Sequence, residues 1–257
     1  MSFYEQLAEK KDYYYFDEIK ERDTPAHFHG AYEFLFILEG EQEVIIDGQS
    51  RILKKGEGCF SDRFSVHSYL AKPNAVSLVM LGHKRYFDPS FTAYGNKIPP
   101  RFFKFENFPL LRSFLTLFSI NKSNSTAWIE TLEGITKVLL AEIAEHNPFE
   151  HRQTDKQSAL VNEILKYADA HLNEDLSLRA IAKKFSYSHE HLSRLLHKYL
   201  QENWNTFVNR LRVQRANILL KKKNASVLSV ALDCGFESMN TFYRAYKREF
   251  GKPPKQK

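Results

Sequence analysis

The 257 residues contain only two cysteines, three methionines and two tryptophans, and no apolar run nears the roughly eighteen residues of a membrane span. Cys59 and Cys234 lie far apart in different predicted domains, so reduced, packed thiols are expected rather than a disulfide framework. The opening MSFYEQLAEKKDYYYF lacks the basic-then-apolar layout of a secretory signal. A cytoplasmic protein with no membrane partner is the expectation. There is no glycine-rich phosphate loop and no recognisable nucleophile-base-acid order. Hence no catalytic residue is assigned, no cofactor is expected, and an enzyme is not the favoured class. Acidic residues are scarce in one part of the chain only. Residues 1–150 carry 17 Lys+Arg against 21 Asp+Glu, net −4, whereas residues 151–257 carry 20 against 10, net +10. Surplus lysine can simply solvate helix faces, but a polyanion partner becomes the better reading when a DNA-reading pattern lies in the same segment.

Such a pattern occurs there twice. LSLRAIAKKFSYSHEHLSRLLHKYL opens with Ser177 as a helix cap and Leu178, Ile181 and Ala182 on one face. A turn at Phe185, Ser186 and Tyr187 follows. Ser188 then caps a second helix packed through Leu192, Leu195, Leu196 and Tyr199. SVLSVALDCGFESMNTFYRAYKREFG repeats the plan, with Val227, Val230, Ala231 and Cys234 in its first helix, Gly235 at the turn and Ser238 as cap. Its second helix packs through Phe242, Tyr246 and Phe250, and Gly251 stops it. Ala182 matches Ala231 but Arg194 matches Arg244, so the register slips by one at the turn. Between the copies, Thr206 to Leu220 reads as one helix of about 22 Å, with Phe207, Leu211, Ile218 and Leu219 on a face. Such a strut can hold two recognition helices about one duplex turn, roughly 34 Å, apart.

The non-packing faces of the second helices carry His189, Glu190, Ser193, Arg194 and His197, and Met239, Asn240, Tyr243, Arg244 and Lys247. Arginine pairs bidentately with guanine, asparagine with adenine, and Met or Tyr meets a thymine methyl. Glu190 repels phosphate and is expected to orient Arg194 at i+4. Lys198, Arg212, Arg215, Lys221, Lys222, Lys223 and Arg248 are expected at phosphates or in water.

Through LSLRAIAKKF, HLSRLL, FVNRLRVQRANILL, VALDCGFES and FYRAYKREFG, the last hundred residues resemble the two-part DNA-binding domain of the AraC/XylS family of bacterial transcription regulators. Two departures stand out. Gln201 occupies the position where a Gly usually ends the first recognition helix, and six residues follow Gly251. The resemblance implies base contacts at Glu190, Ser193, Arg194, Met239, Asn240, Tyr243 and Arg244.

Residues 25–82 carry strand signals: FLFILEG, EVIIDGQSRIL around an Asp47-Gly48 hairpin turn, and SLVMLG, punctuated by Gly56 and Gly58. This part resembles the cupin fold, a small antiparallel barrel, through His27-x-His29, Glu33, Gly40, Gly56, Gly58 and His67. In metal-dependent cupins the positions matching His27, His29, Glu33 and His67 hold a divalent ion. Shared strand parity would turn His27, His29 and Glu33 to one side unless a bulge intervenes. Satisfied structural polar groups and direct contact with a small ligand are the competing readings. The four are assigned as ligand-binding residues, with no metal.

Tyr13, Tyr14, Tyr15 and Phe16 suit either an arm over a pocket or an edge strand. The aromatic and basic stretch 83–107 reads as a loop-rich packing surface or lid, or else as a binder of single-stranded nucleic acid or sugars. Phe108 to Ile120 and Trp128 to Glu145 have helical spacing, the second through Ile129, Leu132, Ile135, Val138, Leu139, Glu142 and Ile143. The fold expected is α+β and multidomain: a cupin-like ligand-sensing barrel over 1–107, a helical pair over 108–147, a linker over 148–157, and an all-α double helix-turn-helix domain over 158–257. The resemblance implies that the pair makes a homodimer, the alternative being a pair that only covers its own barrel. It also implies a small-molecule effector, a sugar by family habit, with double-stranded DNA as partner and RNA polymerase too if the protein activates. A metal-dependent enzyme carrying a DNA tether and an effector-independent DNA binder are the alternatives.

Overall fold

The run YEFLFILE forms strand β3 (Tyr32–Glu39), buried along nearly its whole length. Strand alternation sends Phe34, Phe36 and Leu38 to one side and Leu35 and Ile37 to the other, so β3 divides two apolar clusters. In the computed structural model, which describes residues 13–120, 125–152, 156–221 and 226–254, the chain divides into two compact units between residues 152 and 156. β3 lies at the centre of a five-stranded antiparallel sheet, ordered β1 (Tyr14–Lys20), β8 (Val76–Gly82), β3, β6 (Glu57–Ser61), β10 (Phe102–Lys104). A four-stranded sheet, ordered β2 (Thr24–His27), β7 (His67–Ala71), β4 (Glu41–Ile46), β5 (Gln49–Lys54), closes over its inner face. Leu35, Ile37, Val44, Ile46, Leu53 and Val79 fill the space between the sheets. Asp47 and Gly48 both take positive φ in the β4–β5 hairpin, as the Asp-Gly signal predicts. Residues 14–20 are the edge strand of the larger sheet, so the aromatic cluster packs there.

Residues 83–107 form a packing surface. Tyr86, Phe87, Phe91, Phe103 and Phe105 are buried in the cluster on the outer face of the larger sheet, around helix α1 (Asp88–Ala93). Helices α2 (Phe108–Ile120) and α3 (Thr126–His146) cover the same cluster through Leu111, Phe114, Trp128, Leu132, Ile135, Leu139 and Ile143. Val138, expected in that stripe, is half exposed instead. No helix among the described residues is long and apolar enough to cross a membrane. The linker reading of 148–157 needs correction for its first half. Glu150–His151 forms β11, paired with β9 (Lys97–Ile98), and Phe149 packs on the ring of Tyr94. Short polar sequence hid this strand because its hydrogen bonds are main-chain ones.

The second unit comprises α4 (Lys156–Ala170), α5 (Leu178–Phe185), α6 (His189–Leu200), α7 (Trp204–Leu219), α8 (Val227–Asp233) and α9 (Met239–Phe250). Ser177 and Ser188 cap α5 and α6 by accepting from the backbone N–H of Ala180 and His191. Ser238 stands at the α9 cap without a side-chain bond. The one-residue slip sits between the left-handed turn residue and the cap: Ser186 to Ser188 in the first copy, Gly235 to Ser238 in the second. Gln201 takes the left-handed C-cap conformation usually given to Gly, and its Nε2 donates to Lys198 O at 2.8 Å. That bond offsets part of the strain of a side chain at positive φ.

α7 begins earlier than its pattern suggests, at Trp204 under an Asn203 cap, and Trp204 Nε1 donates to Leu176 O. It is buried on more than one face, through Phe207, Leu211, Val213 and Ala216, while Ile218 is exposed. Polar pins fix it to α9: Gln214 donates to Glu249, and Tyr246 donates to Asn217. Gly235 has φ +84, and a Cβ there meets Leu172 O at 2.3 Å. Gly235→Ala is therefore expected to destabilise this unit by about 2–3 kcal/mol, combining backbone strain with overpacking, as read by urea or thermal unfolding.

Candidate nucleic-acid interface and candidate sensor site

On α6 the structure exposes His189, Glu190, Ser193, Arg194, His197 and Lys198 together, opposite the buried Leu192, Leu195, Leu196 and Tyr199. On α9 it exposes Asn240, Arg244, Lys247 and Arg248. Met239 and Tyr243 are half-buried against the core that holds Phe242 and Tyr246, so each is shared between packing and surface. Arg194 bonds the Glu190 backbone oxygen, at 3.4 Å, rather than its carboxylate, which lies 4.0 Å from His189. Glu190 therefore does not orient Arg194 in the expected way. Arg215 is exposed on α7, and Lys222 lies outside the described residues.

Arg212 requires the clearest correction. Its Nε donates to Leu172 O and a terminal nitrogen to Glu174 O, both at 2.8 Å, and its guanidinium lies 6.0 Å from the Phe236 ring centroid. It ties α7 to the loop before α5 instead of facing phosphate. Arg212→Ala is expected to lower the melting temperature without changing the salt dependence of DNA binding. Arg215→Ala is expected to reduce the slope of log K against log salt by about one while leaving stability within about 0.5 kcal/mol.

In the first unit, His27, His29, Glu33 and His67 converge, each offering one ligand atom, with all those atoms within 4.8 Å of one another. Strand parity is not what gathers them. His27 ends β2 in one sheet, His29 lies in the 28–31 turn, Glu33 is on β3 in the other sheet, and a register irregularity separates Thr24 from His27. His67 pairs with His27 across β2 and β7. The chain's corner between two sheets does the work. All four are buried, His67 and His29 at 1% exposure.

Each imidazole is fixed by Nδ1: His27 to Pro25 O at 3.0 Å, His29 to Ala31 O at 3.2 Å, His67 to Ser65 O at 2.9 Å. Donation to those carbonyls places a proton on Nδ1 and turns Nε2 inward. The Nε2 atoms of His29 and His67 lie 2.8 and 3.2 Å from Glu33 Oε2, while Tyr69 donates to Glu33 Oε1 at 2.7 Å. Burial opposes charge on Glu33, yet the facing His67 and His29 outweigh it and hold its carboxyl well below the usual range. Burial likewise opposes a proton on His67, and Glu33 reverses that, raising it. Burial, reinforced by His67, keeps His27 neutral. A proton on His67 Nε2, favoured by Glu33, meets the carboxylate between the rings, and a divalent cation at that point would take the place of that proton. Three backbone-anchored imidazoles and one carboxylate held by a tyrosine are a donor set that fits a first-row divalent ion. Tyr69 carries no motif signal of its own, but two residues after His67 on one strand it shares that residue's face.

Two domain families match this chain: the cupin domain at residues 17–81 and the helix-turn-helix domain at residues 181–257. The HTH-type transcriptional activator RhaS of Escherichia fergusonii is 24% identical over 243 residues, 90% of this chain and 86% of that protein. RhaS of Escherichia coli O139:H28 is 25% identical over 254 residues, with 92% and 88% covered. Among solved structures, apo ToxT K231A from Vibrio cholerae gives a TM-score of 0.53 at 10% identity, over 94% of this chain and 95% of its own. Wild-type ToxT with bound unsaturated fatty acid gives 0.52 at 13% identity, over 95% and 94%. The two-unit architecture is thus shared with ToxT. With a cupin-like barrel followed by a paired helix-turn-helix unit, the chain belongs to the AraC/XylS family of DNA-binding transcription regulators.

Proposed function

We propose that this regulator reads promoter DNA with α6 and α9 in successive major grooves, and that a divalent transition-metal ion in the His27, His29, Glu33 and His67 cluster is its effector. The anchoring of all three imidazoles by Nδ1, with the donor atoms inside 4.8 Å, is the observation that carries the sensor half. Donor atoms gathered that closely suit a single ion, and the apolar cluster of Leu35, Ile37, Val44 and Ile46 lies between the same two sheets. Burial of the ligating side chains favours binding over turnover. When bound, the ion would lock three imidazoles and a carboxylate from both sheets into one polyhedron. Selection of bound sequences from random duplexes, on chelator-treated and on Zn²⁺- or Co²⁺-loaded protein, tests both halves. Identical selections and affinities with and without ion would remove the effector role.

The direction of regulation follows the RhaS relatives, which are named activators, making RNA polymerase the expected further partner. The protein acts as a homodimer in this reading. Ala127, Thr131, Gly134, Val138 and Ala141 are all exposed along α3, spaced by four and three residues alternately. That is the seam on which two helices approach closely. Val138→Lys and Gly134→Arg, alone, are each expected to weaken self-association about tenfold or more, seen as a halved mass in sedimentation at micromolar protein, with folding unchanged. A mass equal to wild type would move the interface elsewhere.

A further inference from the structure

Arg152 is the last described residue before the second unit, four positions from the start of α4 at residue 156. Its Nε donates to Asp62 Oδ2 at 3.0 Å and a terminal nitrogen to Tyr32 Oη at 2.7 Å. Tyr32 in turn donates to Asp88 at 2.8 Å, and the guanidinium lies 5.9 Å from the centroids of Tyr32 and Phe91. These bonds hold β11 and the chain leaving it against the barrel.

Both partners of Arg152 adjoin the histidine and glutamate cluster. Tyr32 precedes Glu33 on β3, and Asp62 follows Ser61, which pairs with Glu33 across β3 and β6. The segment from Asp62 to His67 has little freedom between those ends. Arg63 Nε donates to Gly30 O at 2.9 Å, and the Phe64 N–H donates to His29 O at 2.8 Å with Phe64 at φ 65. Ser65 Oγ and the Val66 N–H donate to the buried Asp47 carboxylate, and Ser65 O accepts from His67 Nδ1. A shift of His29 or His67 on accepting an ion is therefore transmitted to the loop that carries Asp62.

The geometry points to residues 61–67 as a coupling loop: an ion in the cluster tightens the grip of Asp62 and Tyr32 on Arg152, the last described residue of the barrel unit. The inference rests on the ion reading of the cluster and names how that site regulates. Its energy scale is suitable. A half-exposed Arg–carboxylate pair is modest on its own, so an ion that biases it works within the ordinary range of coupling between sites.

Trypsin reads the latch directly, because cleavage after Arg152 requires its side chain to leave Asp62. On the full chain, chelated and then loaded with Co²⁺, the visible absorption of the ion reports binding and mass spectrometry reports the fragment ending at Arg152. In wild type, Co²⁺ is expected to slow that cleavage about fivefold or more, with cleavage after Lys54 unaffected. In Asp62→Asn, cleavage is expected to be fast with or without ion, while Co²⁺ binding is unchanged. Co²⁺ binding in wild type with no change at Arg152 would overturn the coupling and leave the cluster reading intact. If Co²⁺ does not bind, the cluster reading fails, and Glu33→Gln decides the coupling. An altered rate in the wild-type background but not with Asp62→Asn supports it; equal changes in both, or none, overturn it.

Discussion

Loading chelator-treated protein with Zn²⁺ or Co²⁺ is expected to stabilise the N-terminal unit by about 4 kcal/mol when free ion exceeds its Kd about a thousandfold. For a unit of this size that corresponds to a rise of roughly 8–16 °C in Tm. The direction follows from what the ion replaces. Without it, Glu33 faces two imidazoles whose Nδ1 protons are committed to the carbonyls of Ala31 and Ser65. With it, the same lone pairs and carboxylate become ligands and need no shared proton. His29→Ala is expected to abolish the shift, since three donors remain and one is a carboxylate that has lost its closest partner. Tyr69→Phe removes only the hydroxyl on Glu33 Oε1 and is expected to weaken ion affinity about 10- to 100-fold while keeping a measurable shift. Calorimetry of the three proteins with and without ion checks this. A wild-type curve that none of Zn²⁺, Co²⁺, Ni²⁺ or Mn²⁺ displaces would leave the four side chains as a purely structural polar cluster.

The difference between what could and could not be read in advance has a physical basis. The helix-turn-helix pattern is local: Ser177 and Ser188 cap within their own turn, Gly235 and Gly251 supply positive φ where the chain needs it, and Leu192 to Tyr199 pack at helical spacing. Sequence windows of a few residues contain all of that. The barrel is built from distant pairings, so β2, β6 and β7, short and interrupted by His27, Gly58 and His67, gave no periodic signal. The cluster's members were legible as residue types, but their convergence across two sheets came from pairings such as His27 with His67. Arg212 looked like any basic helix residue, because carbonyls forty and thirty-eight positions away capture it. Arg152 sat in a polar stretch whose importance depends on Asp62, ninety residues earlier.

Arg194→Ala and Arg244→Ala are each expected to weaken binding to the cognate duplex by about 1–3 kcal/mol, or roughly 5- to 150-fold, and to relax sequence preference. Random duplex should lose much less. Both side chains are exposed at equivalent places in the two copies, and neither supports the fold: Arg194 makes one long bond to a backbone oxygen, and among the described residues Arg244 has no hydrogen-bond or ion-pair partner. The loss therefore reads recognition without a folding contribution, unlike Tyr243→Ala, where a half-buried ring is also removed from the core. Because Arg194 and Arg244 stand on different helices and share no hydrogen-bond partner among the described residues, the double variant should approach the sum of the singles. Titration of all three variants on cognate and random duplexes at two salt concentrations separates the outcomes. Equal losses on both duplexes would make the arginines phosphate contacts. A double variant no worse than either single would mean that only one helix reads the site, and the second copy of the pattern would then serve to position the first.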